Sequence, residues 1–474
     1  MNLIARLWRG LCMLFTRNAD IGREFGVKLI ASEEMDAALI KWDRISRGKP
    51  DWVDHEDDIV TVNMAKHVSD TRARLVALDI GLSVSNADGS ETPSPRTVKL
   101  QEIADDLMKR LPEKLGDAER LGGVMLKWNG LTWDYILPGH FGVTEKNGSN
   151  DITGAIFASY AEQGWDHYVR LEYHRFSGAE YVVTNKAYHL TMINSERYSL
   201  GARVPLRNVP AWRELREEVR IEGLTAPLFA YFRIPGANTI DAHSPLGMSA
   251  FANAVEELRA VDIAFSRKGA EIQDSKHMTF VGQNQIKYNE NHSVKLPRFV
   301  RLLGTGFGKN GEADIHEHVP TLLTEQRIQD LNFNLSMVGV KCGFSEGVFV
   351  LDGQTGMITA TQVEADDRDT IQTIKGDRDA LKAAVERAMQ GADAMISLYG
   401  LAPFDRYKLD FNFGDITYNY EEDKANWKAY AMQGWVPKWL YFVKFEGMSE
   451  EEAKAMCQEA AADQQEPGLF AEAE

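Results

Sequence analysis

The stretch GFSEGVFVLDGQTGMITATQVEADD, residues 343–367, leads from a short apolar run into a charged helical pattern. Its apolar run, residues 348–351, has the β-branched and aromatic composition of a strand. A segment punctuated by glycine and threonine follows, and glycine reaches backbone angles closed to other residues. Thr361 and Glu364 have the spacing of a capping box. We therefore expect a flexible loop mounted on a long helix over residues 359–398.

The chain before this stretch predicts two further helices. Apolar residues from Phe251 to Phe265 recur at steps of four, three, three and four, which places them on one stripe of a helix. Ser244 is the predicted N-cap of this helix, with Pro245 at its first position. A second helix is expected over residues 323–340, after a mixed segment at 277–322.

An antiparallel sheet is predicted for residues 122–235, where apolar and polar positions alternate and turn dipeptides such as Asn147-Gly148 intervene. Residues 1–50, 64–78 and 98–115 are expected to be mostly helical. We predict a loop over residues 85–97, because Pro93 and Pro95 disfavour regular structure. Toward the end of the chain, we expect a strand pair at 406–420, short helices at 424–435 and 449–463, and a disordered tail.

The bulk composition predicts a soluble, folded protein with more than one structural unit. The chain has 474 residues, of which 44% are hydrophobic and 26% charged. No apolar run approaches the roughly 18 residues that a membrane-spanning helix needs. Three cysteines without a CxxC motif fit a reducing compartment. The net charge of −17 argues against a protein that grips nucleic acid tightly through its phosphates.

The charge is not uniform along the chain. Between residues 264 and 310, the chain has eight Lys or Arg residues and only three acidic residues. A basic patch therefore lies between the two predicted helices, inside an otherwise acidic protein. Its residues are Lys276, Lys287, Lys295, Arg298 and Arg301.

Motifs for catalysis or cofactor binding are incomplete. LLGTGFGKNG, residues 302–311, has Leu303 and Asn310 where a phosphate-binding loop needs glycine and Ser or Thr. His316 and His318 are spaced to share one face of a strand, but no HExxH spacing accompanies them, so a polar turn is the favoured interpretation. No GxSxG motif is present. We predict no catalytic residue, no metal site and no cofactor.

Four stretches together resemble the portal protein family of tailed phages, in particular long-tailed phages of Gram-positive bacteria, including proteins described as minor capsid or portal proteins. The first, TVNMAKHVSDTRARLV, is similar to an early helix of that family, and the second, YVRLEYHRFSGAEYVVTN, to its wing hairpin. The third, residues 221–266, resembles the strand and Ser-Pro-Leu-Gly entry into the first stem helix. The fourth, residues 339–370, resembles the exit of the second stem helix, the channel loop and the start of the long helix. The four stretches follow one another in the same order as in that family, and together they extend over nearly the whole chain. Gln362 and the residues EADD at 364–367 depart from the family's usual sequence.

The resemblance implies an α+β portal fold that assembles as a ring, with a mixed α/β wing, a two-helix stem, a small α/β clip, a long wing helix and a helical crown. The implied segments are 1–243 (N-terminal wing), 244–276 (first stem helix), 277–322 (clip), 323–342 (second stem helix), 343–358 (channel loop), 359–400 (long wing helix) and 401–474 (C-terminal strands, crown helices and tail). The residues expected to face DNA in the channel loop are Asp352, Gly353, Gln354, Thr355, Gly356 and Met357.

The function that the resemblance implies is a channel at one capsid vertex, through which the genome is packaged and ejected. About twelve copies would form a closed head-to-tail ring, made in the bacterial cytoplasm and kept in the virion. The implied partners are double-stranded DNA, the terminase large subunit, a head-tail connector, and the major capsid and scaffolding proteins, with no membrane. The basic patch is the expected docking site for terminase or connector. The alternatives are another phage minor capsid protein or a nucleic-acid-processing enzyme.

Overall fold

The computed structural model describes residues 20–30, 32–53, 59–194, 197–274, 278–282, 300–303, 315–318, 323–351, 368–414, 420–433, 435–446 and 448–463. It divides into two compact units, Met1–Gly414 and Asp415–Glu474. The fold is mixed α+β, as the sequence predicts.

The first part of the larger unit is helical with one strand. Its elements are α1 (Asp20–Phe25), α2 (Glu33–Ser46), α3 (Met64–Val76), β1 (Gly81–Asn86) and α4 (Pro95–Leu121). The predicted loop is shorter than expected, because Pro95 begins α4. Proline is tolerated there, since the first N–H of a helix has no partner within the helix. The Ser94 hydroxyl caps α4 by accepting from Thr97 N at 3.3 Å.

Two antiparallel sheets follow, and they confirm the sheet predicted for residues 122–235. Their strands are β2 (Gly123–Trp128), β3 (Trp133–Ile136), β4 (Phe141–Lys146), β5 (Ile152–Gln163), β6 (Asp166–Ser177), β7 (Glu180–Asn194), β8 (Arg197–Val204), β9 (Glu218–Glu222) and β10 (Phe229–Arg233). The smaller sheet has the order β10-β2-β3. In the larger sheet β4 to β8 are neighbours in sequence order, and β9 pairs with the first part of β7.

The next helix, α5, spans Val255–Asp274 and is preceded by a 3-10 turn at Ala252–Ala254. The prediction that Ser244 caps this helix is wrong. The Ser244 hydroxyl instead accepts from Leu246 N at 3.3 Å in an irregular segment. Gly247 explains why this segment is not helical: it crosses Gly122 so closely that a Cβ at Gly247 would lie 2.1 Å from the Gly122 carbonyl oxygen. Tight backbone packing against the end of α4 therefore takes precedence over the local capping signal.

Three short strands separate α5 from the next helix: β11 (Met278–Gly282), β12 (Val300–Leu303) and β13 (Ile315–His318). β11 pairs with β12 in parallel and with β13 antiparallel. The polar turn predicted around His316 is therefore wrong, because His316 pairs with Phe280 and His318 with Met278 across the sheet.

The larger unit ends with α6 (Thr324–Lys341), α7 (Arg368–Leu398) and β14 (Tyr407–Asn412). Both helices lie where helical periodicity predicts them, although the start of the predicted long helix, with Thr361 and Glu364, lies outside the described residues. β14 pairs antiparallel with β1. β14 confirms the first strand of the pair predicted at 406–420, and its partner among the described residues is a strand more than 300 residues earlier. Residues 415–419 of the predicted pair lie outside the described residues.

The smaller unit contains α8 (Tyr420–Gln433), α9 (Lys438–Glu446) and α10 (Glu450–Asp463). Helices α8 and α10 correspond to the two predicted helices. The sequence pattern did not reveal α9, because its run WLYFV is apolar on all sides and has no helical periodicity. The Trp427 ring lies beneath Lys444 Nζ at 4.2 Å, so a cation–π contact joins α8 to α9. The predicted disordered tail, residues 464–474, lies outside the described part of the chain.

The main hydrophobic core of the larger unit lies where α2, α3, the sheets, α5 and α6 meet. Met35, Val68, Phe157, Val261 and Val338 are among its fully or almost fully buried residues. Since α5 and α6 contribute their apolar faces to the same core as the sheets, their position relative to the rest of this unit is set by side-chain packing.

Candidate functional site

Helices α5 and α6, called the helix pair below, pack side by side in opposite directions. Arg327 near the start of α6 lies 3.2 Å from Glu271 near the end of α5. Lys341 at the end of α6 lies 2.5 Å from Glu257 near the start of α5. These two ion pairs hold both ends of the pair in an antiparallel register.

The inner face of the helix pair is anchored in the core. Leu258, Leu331 and Leu335 are among its buried residues. Asp262 of α5 provides a polar anchor, since its carboxylate accepts from Trp52 Nε1 at 2.9 Å and from the Val62 amide at 2.8 Å. Burial raises the pKa of Asp262, although these donors oppose the shift.

The outer face of α6 carries exposed apolar residues. Phe333 is 65% exposed and Val340 51% exposed, and both lie on the side of α6 opposite the buried Leu331. Phe265 and Ile272, which are 44% and 53% exposed, instead continue the buried stripe of α5 toward the end of that helix. Phe333 and Val340 are seven positions apart, which places them one above the other. Large apolar side chains grouped in this way on a surface are typical of a protein–protein contact.

The predicted strand at 348–351 is a turn in the structure. Val348 N donates to Ser345 O at 3.4 Å and Val350 N to Gly347 O at 3.2 Å. Phe349 is buried at the base of this turn, where its ring lies 4.9 Å from the ring of Phe344. Packing onto the end of α6 therefore explains Phe349, whereas Val348 and Leu351 of the same run are exposed.

The chain leaves the helix pair and enters α7 at a single place. Ser345 N donates to Thr370 Oγ1 at 2.8 Å, and the Thr370 hydroxyl donates to Ser345 Oγ at 3.0 Å. Nearby, a Cβ at Gly343 would lie 2.7 Å from Thr373 Oγ1. The two ends of the segment between Ser345 and Thr370 are therefore held together by hydrogen bonds.

Most of the predicted site residues lie outside the described part of the chain. This applies to the whole predicted channel loop, Asp352, Gly353, Gln354, Thr355, Gly356 and Met357. In the basic patch it also applies to Lys276, Lys287, Lys295 and Arg298. Arg301 lies in β12, where its backbone pairs with Phe280.

A buried cluster of charges, called the Arg72 cluster below, joins three helices and was not predicted from the sequence. Arg72 of α3 donates from Nε and Nη2 to the two carboxylate oxygens of Asp377 on α7, at 2.6 and 2.7 Å. Its Nε also lies 3.2 Å from Glu119 on α4. Neither oxygen of Glu119 accepts a hydrogen bond from the residues that the structure describes. The cluster therefore holds one cation and two carboxyl groups away from water.

This arrangement changes the acidity of Glu119. Its burial, together with the neighbouring Asp377, raises the pKa of Glu119 to about 8, although Arg72 opposes the shift. Burial also raises the pKa of Asp377. A sequence signal for the cluster does exist: Arg72 follows Met64 and Val68 at steps of four, and Glu119 likewise follows Leu111 and Leu115. Charged residues that continue an apolar helical stripe indicate buried charges.

A second buried network links the two sheets. Glu172 of β6 lies 2.8 Å from Lys127 of β2, 2.8 Å from Arg170 and 2.6 Å from His174. Burial opposes ionisation of Glu172, but these three neighbours outweigh it and hold its pKa well below the usual range. Burial lowers the pKa of His174, whose Nδ1 lies 2.9 Å from the Tyr181 hydroxyl. The network pairs the Glu172 carboxylate with two cations inside the fold, which is a structural role.

A cavity of about 320 Å³ opens between the β4–β5 turn, β10 and α7. Arg233, Arg387 and Asp151 contribute charged groups to its lining. Arg387 lies 2.5 Å from Asp151, so one of the two cations is already neutralised. The cavity takes no part in the function proposed below.

Among the side chains that the structure describes, no group of three His, Cys, Asp or Glu residues is arranged to hold a metal ion. Within the same described residues, none of the helices combines the length and the apolar character that crossing a membrane requires. A scan of the chain against models of protein families finds no match. A search of curated proteins likewise finds no matching sequence.

Proposed function

We propose that the chain is the subunit of a portal-type ring, a channel at one capsid vertex through which a phage genome is packaged and ejected. The order of the sequence stretches that resemble that family supports the proposal. Among the structural observations, α6 carries it, because this helix is anchored in the core on one side and bears the exposed Phe333 and Val340 on the other. Such a surface is suited to contact with the next copy in a head-to-tail ring.

The connection at Ser345 and Thr370 supports the second part of the proposal, a loop that faces DNA. A segment whose two ends are hydrogen-bonded at one place returns to its starting point, as a loop presented from a fixed base must do. The predicted channel loop, Asp352 to Met357, belongs to that segment. In a ring, each subunit would contribute one loop to a collar around the central hole.

The negative net charge of the chain is compatible with DNA that moves through the ring without being bound tightly. Strong phosphate contacts would resist movement of DNA through the ring, and a net charge of −17 disfavours them. In this proposal the basic patch at the predicted clip meets the terminase during packaging and the head-tail connector afterwards. Capsid and scaffolding proteins would surround the ring at the vertex.

Sedimentation equilibrium of the purified protein tests the proposal. We expect a mass close to about twelve times the 53.3 kDa of one chain. A mass of one or two chains would contradict it. ATP hydrolysis by the purified protein that is lost on mutation of this chain would favour a nucleic-acid-processing enzyme instead.

A further inference from the structure

The Arg72 cluster lies where the helix pair meets the long helix α7. Besides Asp377 and Glu119, Arg72 reaches the end of α6, since its Nη1 donates to the Cys342 carbonyl at 3.4 Å. The Glu119 carbonyl accepts from the Ala250 amide at 2.8 Å, in the segment that leads into α5. The cluster is thus connected to the end of α6 and to α7, and the backbone of Glu119 also contacts the segment that precedes α5.

The net charge of the cluster depends on whether one of its two carboxyl groups carries a proton. With both carboxyl groups ionised, two negative charges would share one guanidinium in a site closed to water. Asp377 occupies two of the Arg72 donors, whereas Glu119 has only the 3.2 Å contact with Nε. Two carboxyl groups that share a buried site do not both ionise readily, and the less compensated one keeps its proton. That group is Glu119.

We propose that the Arg72 cluster is a proton-dependent switch between the helix pair and α7. While Glu119 is protonated, the cluster is neutral and the contact between these elements is tight. When Glu119 releases its proton to solvent, an uncompensated negative charge remains beside Asp377 and loosens the contact. The switch is a property of one folded chain and does not depend on ring assembly.

The groups around Glu119 make it the residue that titrates. The charged groups acting on it are Arg72 from α3 and Asp377 from α7. From the end of α6, Cys342 faces Arg72, but burial raises the pKa of its thiol to about 12. The folded protein keeps the Glu119 proton up to a pH of about 8, whereas its ordinary pKa is 4.5. Between these values the free energy of unfolding falls as the pH rises, because the unfolded chain has already lost the proton.

Infrared difference spectroscopy of the full chain tests the protonation state, because a protonated carboxyl group has a C=O stretch that a carboxylate lacks. We expect a buried protonated carboxyl group at neutral pH that disappears as the pH rises past about 8. Glu119→Gln should remove the signal, and Glu113→Gln, on the same helix but 77% exposed, should keep it. A signal that survives Glu119→Gln, or that is lost only in Asp377→Asn, would overturn the proposal.

Hydrogen–deuterium exchange tests whether the contact between the helix pair and α7 loosens when Glu119 loses its proton. Peptides covering residues 338–345 and 372–380 should exchange faster above the transition than below it, after correction for the intrinsic effect of pH. The opening equilibrium is expected to change by up to about tenfold per pH unit. This increase should be absent in Glu119→Gln and unchanged in Glu113→Gln. Equal exchange on both sides of the transition in the unmutated protein would also overturn the proposal.

Discussion

Arg72 and Asp377 are 305 residues apart in the chain, yet two donors of the guanidinium contact the two oxygens of the carboxylate at 2.6 and 2.7 Å. This planar two-bond pairing is the strongest geometry available to an arginine and a carboxylate. It fixes α3 against α7 at the level where α6 ends. The position of the long helix relative to the helix pair therefore depends on a contact inside the core.

Replacing Arg72 by alanine is expected to destabilise the larger unit strongly. The change leaves Asp377 buried without its cation, and breaking a buried ion pair from one side costs about 3–5 kcal/mol. Urea unfolding gives the free energy directly. Arg74→Ala is the matched control, because Arg74 is exposed on the same helix, and its effect should stay within about 0.5 kcal/mol. Equal effects of the two variants would contradict the role of the cluster.

Replacing Thr370 by valine tests the connection at the base of the predicted loop. Valine keeps the shape of threonine but leaves the buried Ser345 amide without its acceptor. A loss of about 1–3 kcal/mol in the free energy of unfolding is expected. Thr191→Val, at an exposed position of β7, serves as the control and should have little effect. No loss in Thr370→Val would show that the two ends of the segment are held by other contacts.

Charge reversal at Lys295, Arg298 and Arg301 together tests the docking role of the basic patch. Rings should form normally, while terminase binding weakens, and the difference should be largest at low salt because ions screen such contacts. Reversal of Arg74, Lys109 and Arg110, three exposed cations of α3 and α4, is the control. Terminase binding measured at low salt that is unchanged by the first variant would rule out this docking site.

Stiffening the predicted channel loop tests its contact with DNA. Gly353→Pro with Gly356→Pro restricts the backbone angles of the tip, so rings are expected to form but heads should fail to package or retain DNA. Gly353→Ala with Gly356→Ala restricts the backbone less than proline does and should have the smaller effect. DNA content of purified heads is the measurement. Normal filling by the proline variant would mean that this segment is only a connector.

A related change alters charge instead of stiffness. Asp352→Lys replaces one negative charge per subunit by a positive one, and a ring of cations would hold the DNA phosphates. We expect slower translocation in a packaging assay. Asp352→Asn, which removes charge without adding a cation, should have a smaller effect, and equal rates for all three proteins would exclude a charge contact at this position.

Local patterns predicted most of the elements but not all of their ends or partners. The stripe containing Leu258 and Val261 follows the buried face of α5. In β5 and β6, by contrast, consecutive residues are buried over part of each strand, so alternation does not report their burial. Ser244 and Pro245 carry a good local signal for a helix start. The close crossing of Gly122 and Gly247 overrides it, and such a contact is invisible to any window of neighbouring residues.

The candidate site was predictable only in part for a similar reason. Helical periodicity indicates both members of the pair, but exposure of Phe333 depends on what α6 packs against, which composition cannot reveal. The Arg72 cluster required three charged residues from distant parts of the chain. Each lies within an apolar stripe of its helix, so the sequence indicates that these charges are buried. It does not indicate which of them form ion pairs with one another.

Negative-stain electron microscopy of the purified protein tests the central claim most directly, with Phe333→Asp as the variant. The unmutated chain should form rings with a central hole. Phe333→Asp should yield folded single chains, because a carboxylate would be buried without a partner in the contact between copies. Val98→Asp, at a 47% exposed position of α4, should still form rings. Monomers or dimers of the unmutated protein, or intact rings of Phe333→Asp, would contradict the account.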